Sequence, residues 1–97
     1  MAVITGEKKD PKAEQFREIC ERMARLYERK NADYGDSFHK TFELEGLSMS
    51  RIRLMDKLNR FCSITRKGSS EVNDESAIDT LIDLANYAVM TIMEMEG

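Results

Sequence analysis

Tryptophan is absent from this chain, and proline and histidine each occur once among 97 residues. One proline and five glycines offer few places to break a helix. With abundant Glu, Lys, Arg, Leu, Met and Ala, that scarcity points to an all-α fold. No apolar run reaches the roughly 18 residues of a membrane span, and no hydrophobic stretch follows a basic start. Membrane function is excluded on this reading, and a soluble cytoplasmic protein is expected. Neither sign of charge dominates: 15 basic and 18 acidic residues leave a net −3, with no broad attraction to duplex nucleic acid. Cysteine is limited to Cys20 and Cys62, neither in a metal-ligand spacing, so two buried, reduced thiols are expected. His39 has no sequence-evident cysteine partner, which leaves nucleophilic catalysis without support.

What is present is helical periodicity. Residues 1–10 carry none and read as a flexible N-terminal arm; residues 11–97 read as one small α-helical domain. Pro11 suits the first helical position behind Asp10 as N-cap. Phe16, Ile19, Met23, Leu26 and Tyr27 then recur at three- and four-residue steps, giving an amphipathic helix to about Lys30. Asn31 to Ser37 is dense in turn formers and predicts a loop with a tight turn at Gly35. Phe38, Phe42 and Leu44 predict a short helical turn ended by Gly46. Ser48 or Ser50 would cap a third helix with Leu54, Met55, Leu58, Phe61, Cys62 and Thr65 on its apolar side. After a flexible connection from Lys67, Asn73 or Asp74 would cap a fourth helix that is apolar around most of its circumference. Four helices of this length cannot cover it, so a homo-oligomer is expected.

The polar residues inside these helices carry the functional signal. Glu75, Asp79, Asp83 and Asn86 fall within a stripe about 80° wide on the last helix. Two aspartates at i and i+4 stack on one face and repel, an arrangement that a cation or a donor-rich partner would explain. Mg²⁺ with substrate phosphates is one reading. Ion pairing with Arg53, Lys57 or Arg60 on the third helix is the other, and the spacing alone does not choose. Arg53, Asp56, Lys57 and Arg60 form either a phosphate clamp or a solvated face. The segment Lys30, Asp33, Tyr34, Asp36, Ser37 is either a sugar- or base-reading loop or a plain turn anchored by its tyrosine. The seven methionines read as packing, and the Glu18/Glu21 pair as a solvated face.

Three blocks, KNADYGDSFHKTFELEGL, RIRLMDKLNR and VNDESAIDTLIDLANYAVMT, in that order, resemble a phage and prophage family. It is the nucleotide-modification-associated domain of the first type, formerly a domain of unknown function, and the resemblance spans Phe16 to Glu94. That family in turn looks like the all-α MazG-type nucleotide pyrophosphohydrolases. The resemblance implies a MazG-like four-helix bundle, completed by homo-oligomerisation, that binds a nucleotide. It further implies a Mg²⁺-dependent hydrolase linked to nucleotide or DNA-base modification, with Asp79 and Asp83 catalytic and Asp56, Asp79 and Asp83 as metal ligands. Arg53, Lys57 and Arg60 would meet phosphate, while Lys30, Asp33, Tyr34, Asp36, Ser37, Asn86 and Tyr87 would complete the nucleotide site. One departure stands out: where the MazG pattern has Glu-x-x-Glu on the first acidic helix, this chain has only Asp56 among basic residues. The alternative is therefore a non-catalytic protein that sequesters a nucleotide signal of host antiphage defence.

Overall fold

The computed structural model describes residues 10–34, 36–66 and 74–97. Among them are four helices and no strand: α1 (Pro11–Tyr34), α2 (Ser37–Glu45), α3 (Leu47–Arg66) and α4 (Asp74–Glu96). The all-α expectation holds. The expected arm, the Gly35 turn, the Lys67 connection and the Asn73 cap lie outside the described residues, except for Asp10. The chain divides into two compact units, Met1–Asp33 and Tyr34–Gly97.

In the first unit, Asp10 caps α1 as its sequence position implies. Its Oδ1 accepts the Lys12 backbone N–H at 2.9 Å, and its carbonyl accepts the Glu14 N–H at 3.0 Å. The helix does not stop at Lys30 but runs through Asn31, Ala32 and Asp33 to Tyr34. Asn and Asp are poor helix formers, yet each costs under about 1 kcal/mol, too little to end an established helix before Gly35. Arg17–Glu14 and Arg25–Glu21 pairs lace the exposed surface at 3.1 and 3.7 Å. Cys20 is exposed and Cys62 only half-buried, both as free thiols, contrary to the expected pair of buried ones. On its apolar stripe Phe16 is 71% exposed and Ile19 is exposed, while Met23, Leu26 and Tyr27 are half-buried.

In the second unit, α2, α3 and α4 pack on one another. Gly46 makes the α2–α3 corner. Its φ of 67° with ψ of −150° is a conformation open essentially to glycine, and its N–H closes α2 on the Phe42 carbonyl at 2.7 Å. The corner is so tight that α3 begins at Leu47, before either serine proposed as its cap. Ser48 instead donates back to the Glu45 carbonyl at 2.8 Å, and Ser50 is buried. Two cross-links fix α3 and α4 as antiparallel neighbours: Ser50 with Thr91, and seven residues further along α3, Lys57 with Asp83.

The centre of this unit is partly polar. Met49, 6% exposed, is the one buried apolar side chain among the described residues, and its buried companions are Ser50, Thr80 and Thr91. Thr91 Oγ1 lies 2.9 Å from Ser50 Oγ and 2.8 Å from the Tyr87 carbonyl. One proton cannot serve both, so Thr91 donates to the carbonyl and accepts from Ser50. Met55 and Leu58, on the side of α3 that periodicity marks as apolar, are exposed, as are Met93 and Met95 on α4.

Candidate functional site

The α3–α4 contact carries its charge on one edge. Lys57 Nζ lies 3.1 Å from Asp83 Oδ2, and both side chains keep only about a quarter of their surface in water. This is the ion pair that one of the two sequence readings offered for the aspartate stack. Arg53 and Arg60 flank Lys57 at i−4 and i+3, on the same face of α3, and both are exposed. Neither is in an ion pair among the described residues. Asp79 is exposed one turn before Asp83, while Asn86 and Tyr87 are half-buried on the following turn. Asp56 is exposed on α3.

α2 reaches this edge through an aromatic contact. Phe38 stacks on Tyr87, ring centroids 6.0 Å apart and planes 19° from parallel. The stack brings the start of α2 to α4 one turn beyond Asp83. Asp36, at the N-cap, is held in the left-handed conformation (φ 61°, ψ 39°) and makes no side-chain capping bond. The first N–H groups of α2 therefore have no carboxylate cap from Asp36. Ser37 opens the helix, and its carbonyl accepts the Thr41 hydroxyl at 3.0 Å.

Of the residues singled out by sequence, Lys57, Asp83, Arg53, Arg60, Asp79, Asn86, Tyr87, Asp36 and Ser37 thus belong to one unit. Lys30 and Asp33 belong to the other, on exposed turns of α1. Tyr34 closes α1 at the boundary. Among the described residues no three His, Cys, Asp or Glu side chains converge as a metal-ligand group. Asp56, Asp79 and Asp83 are therefore not assembled as a ready-made Mg²⁺ site, and Asp83 already has an ammonium against it.

Sequence reasoning passed over His39. Its Nδ1 lies 2.8 Å from Glu94 Oε1, 55 residues away, and its Nε2 lies 3.5 Å from Glu43 Oε2. The Glu94 hydrogen bond, then the Glu94 charge, raise the imidazole pKa above its ordinary value, with smaller help from Glu43 and Asp36 against a desolvation cost. The i,i+4 spacing to Glu43 was visible in the sequence. The Glu94 partner became apparent only once α2 lay against α4.

An all-α domain with a basic helix laid along an acidic one, and a charged edge where they meet, is the class that this fold defines. Residues 30–95 match the family model described as nucleotide modification associated domain 1, and the chain belongs to that family. No curated protein and no solved structure matches the chain. No helix among the described residues is long and apolar enough to cross a membrane.

Proposed function

We propose that this chain binds a nucleotide by its phosphates along the α3–α4 edge. The observation that carries the reading is the Lys57–Asp83 pair between Arg53 and Arg60, exposed arginines with no carboxylate partner among the described residues. Arginine presents a planar donor fork to phosphate oxygens, and lysine adds a point charge. Asp83 holds the Lys57 ammonium in place. Tyr87 and Asn86 would meet sugar or base, and family membership supplies the nucleotide context. Binding of this kind needs no resident metal, which favours the sequestering form of the function, in a phage setting against a host nucleotide signal.

A catalytic reading keeps one observation in its favour: Asp79 stays exposed one turn from Asp83, so an acidic pair remains on that edge. On the MazG likeness it would be a nucleoside triphosphate pyrophosphohydrolase, with Mg²⁺ delivered by the substrate.

Calorimetry with nucleoside triphosphates, nucleoside monophosphates and cyclic dinucleotides, with Mg²⁺ or with chelator, separates these readings when products are followed by chromatography. The binding reading expects micromolar affinity insensitive to chelator and no turnover. Removing both arginines (Arg53→Ala with Arg60→Ala) should weaken it at least tenfold. Lys57→Met should weaken it similarly, and by taking the ammonium from a largely buried Asp83 it should also cost the fold about 1–3 kcal/mol by urea unfolding. Pyrophosphate release that Asp83→Asn abolishes would establish the catalytic reading instead. Absence of binding at millimolar nucleotide would sink both.

A further inference from the structure

We propose that His39 positions the nucleotide site, its imidazolium tying α2 to α4 so that Phe38 is held against Tyr87. Its bearing on nucleotide rests on the binding proposed for the α3–α4 edge; the tie itself does not. Two carboxylates from different helices face the two ring nitrogens. Glu94 Oε1 of α4 lies 2.8 Å from Nδ1, and Glu43 Oε2 of α2 lies 3.5 Å from Nε2. Only the charged ring donates from both nitrogens. Once neutral it keeps a single N–H, and the other nitrogen turns a lone pair toward a carboxylate. Glu94 has only 18% of its side chain in water, so little solvent stands ready to replace the lost donor.

α2 has little other hold on α4. None of its nine residues is buried, and a helix that short is marginal without tertiary support. Its one described aromatic contact with α4 comes from Phe38, the residue before His39, stacked on Tyr87 with centroids 6.0 Å apart. At the far end the Gly46 corner, φ 67° and ψ −150°, joins α2 to α3. Released from Glu94, the first turn of α2 is free to draw away from α4 and to take Phe38 with it. Tyr87 then loses the ring that fixes it one turn beyond Asp83. Among the described residues every charge that acts on the imidazole is acidic: Glu94 from α4, then Glu43 and Asp36 from the α2 segment, with none from α3. The Glu94 hydrogen bond leads in raising the imidazole pKa, and desolvation opposes it. The tie is therefore complete below the ordinary value of about 6.5 and is released as pH rises through the folded one.

NMR and calorimetry on the whole chain, from about pH 5.5 to 8.5, test the proposal across the range where imidazole titrates. Ring-proton contacts between Phe38 and Tyr87 should be strong at the acid end and fade with the midpoint of the imidazole titration. In His39→Gln and in Glu94→Gln they should be weak throughout, with helical circular dichroism intact. A cyclic dinucleotide is the binding probe, because its phosphodiesters keep their charge over this range. Wild-type affinity for it should fall about fivefold or more from the acid to the alkaline end, and that of His39→Gln should stay flat. Ring contacts that do not change with pH, or a response that persists in His39→Gln, would overturn the tie. Contacts that open while the dinucleotide keeps a single affinity would overturn the positioning role. Absence of binding at every pH would strike the nucleotide reading itself, and the ring contacts would still decide the tie.

Discussion

At the scale of single residues, the second unit spends polar side chains where small domains usually place apolar ones. Ser50 and Thr91 are buried against each other, and the Ser50 hydroxyl is paired with Thr91, which also donates to the Tyr87 carbonyl. Thr91→Val would leave the Ser50 hydroxyl without its acceptor, so urea unfolding should register a loss of about 1–3 kcal/mol. Adding Ser50→Ala should recover most of that loss, because two apolar groups of matching shape replace the pair. No recovery would mean that volume, not the hydrogen bond, sets the cost. His39 makes a second prediction. Its pKa is raised in the folded state, so its contribution is complete below the ordinary imidazole pKa of about 6.5 and is lost as pH rises through the folded value. The stability difference between wild type and His39→Gln should therefore be larger at pH 6 than at pH 8. A proton NMR titration of the lone imidazole should move back toward the ordinary value in Glu94→Gln.

At the scale of elements, local chemistry accounts for most of what the sequence disclosed. Asp10–Pro11 started α1 where expected, and Gly46 ended α2, because caps and corners depend on neighbours in the chain. Gly46→Ala gives this a number. A Cβ there meets nothing within 4 Å, so the penalty is backbone strain alone, about 1–3 kcal/mol, read as a lower midpoint in urea with an unchanged slope. Overextension of α1 to Tyr34 and the early start of α3 were misjudged because turn-forming residues were weighted above helix cooperativity. The site divided along the same line. Asp79 and Asp83 on one stripe, and Arg53, Lys57 and Arg60 on another, were legible from periodicity alone. The Lys57–Asp83, Phe38–Tyr87 and His39–Glu94 contacts join residues far apart in the chain, and spacing cannot encode which faces meet.

At the scale of the molecule, the arithmetic of burial sets the last prediction. One buried apolar side chain among the described residues, beside exposed Leu58, Leu81 and Ile92, is a poor store of folding free energy. If a second copy covers that face, folding and association are one equilibrium, and stability must rise with concentration. A hundredfold increase in concentration contributes RT ln 100, about 2.7 kcal/mol per dimer or roughly 1.4 per chain. At about 4–8 °C per kcal/mol for a domain of this size, the thermal midpoint should climb by roughly 5–10 °C between 2 and 200 μM. Leu58→Glu should lower the midpoint at high concentration and remove its dependence on concentration, leaving the small intrinsic stability of the isolated chain. A wild-type midpoint that stays fixed across that range would mean that the chain's own helices suffice, and that no second copy covers Leu58, Leu81 and Ile92.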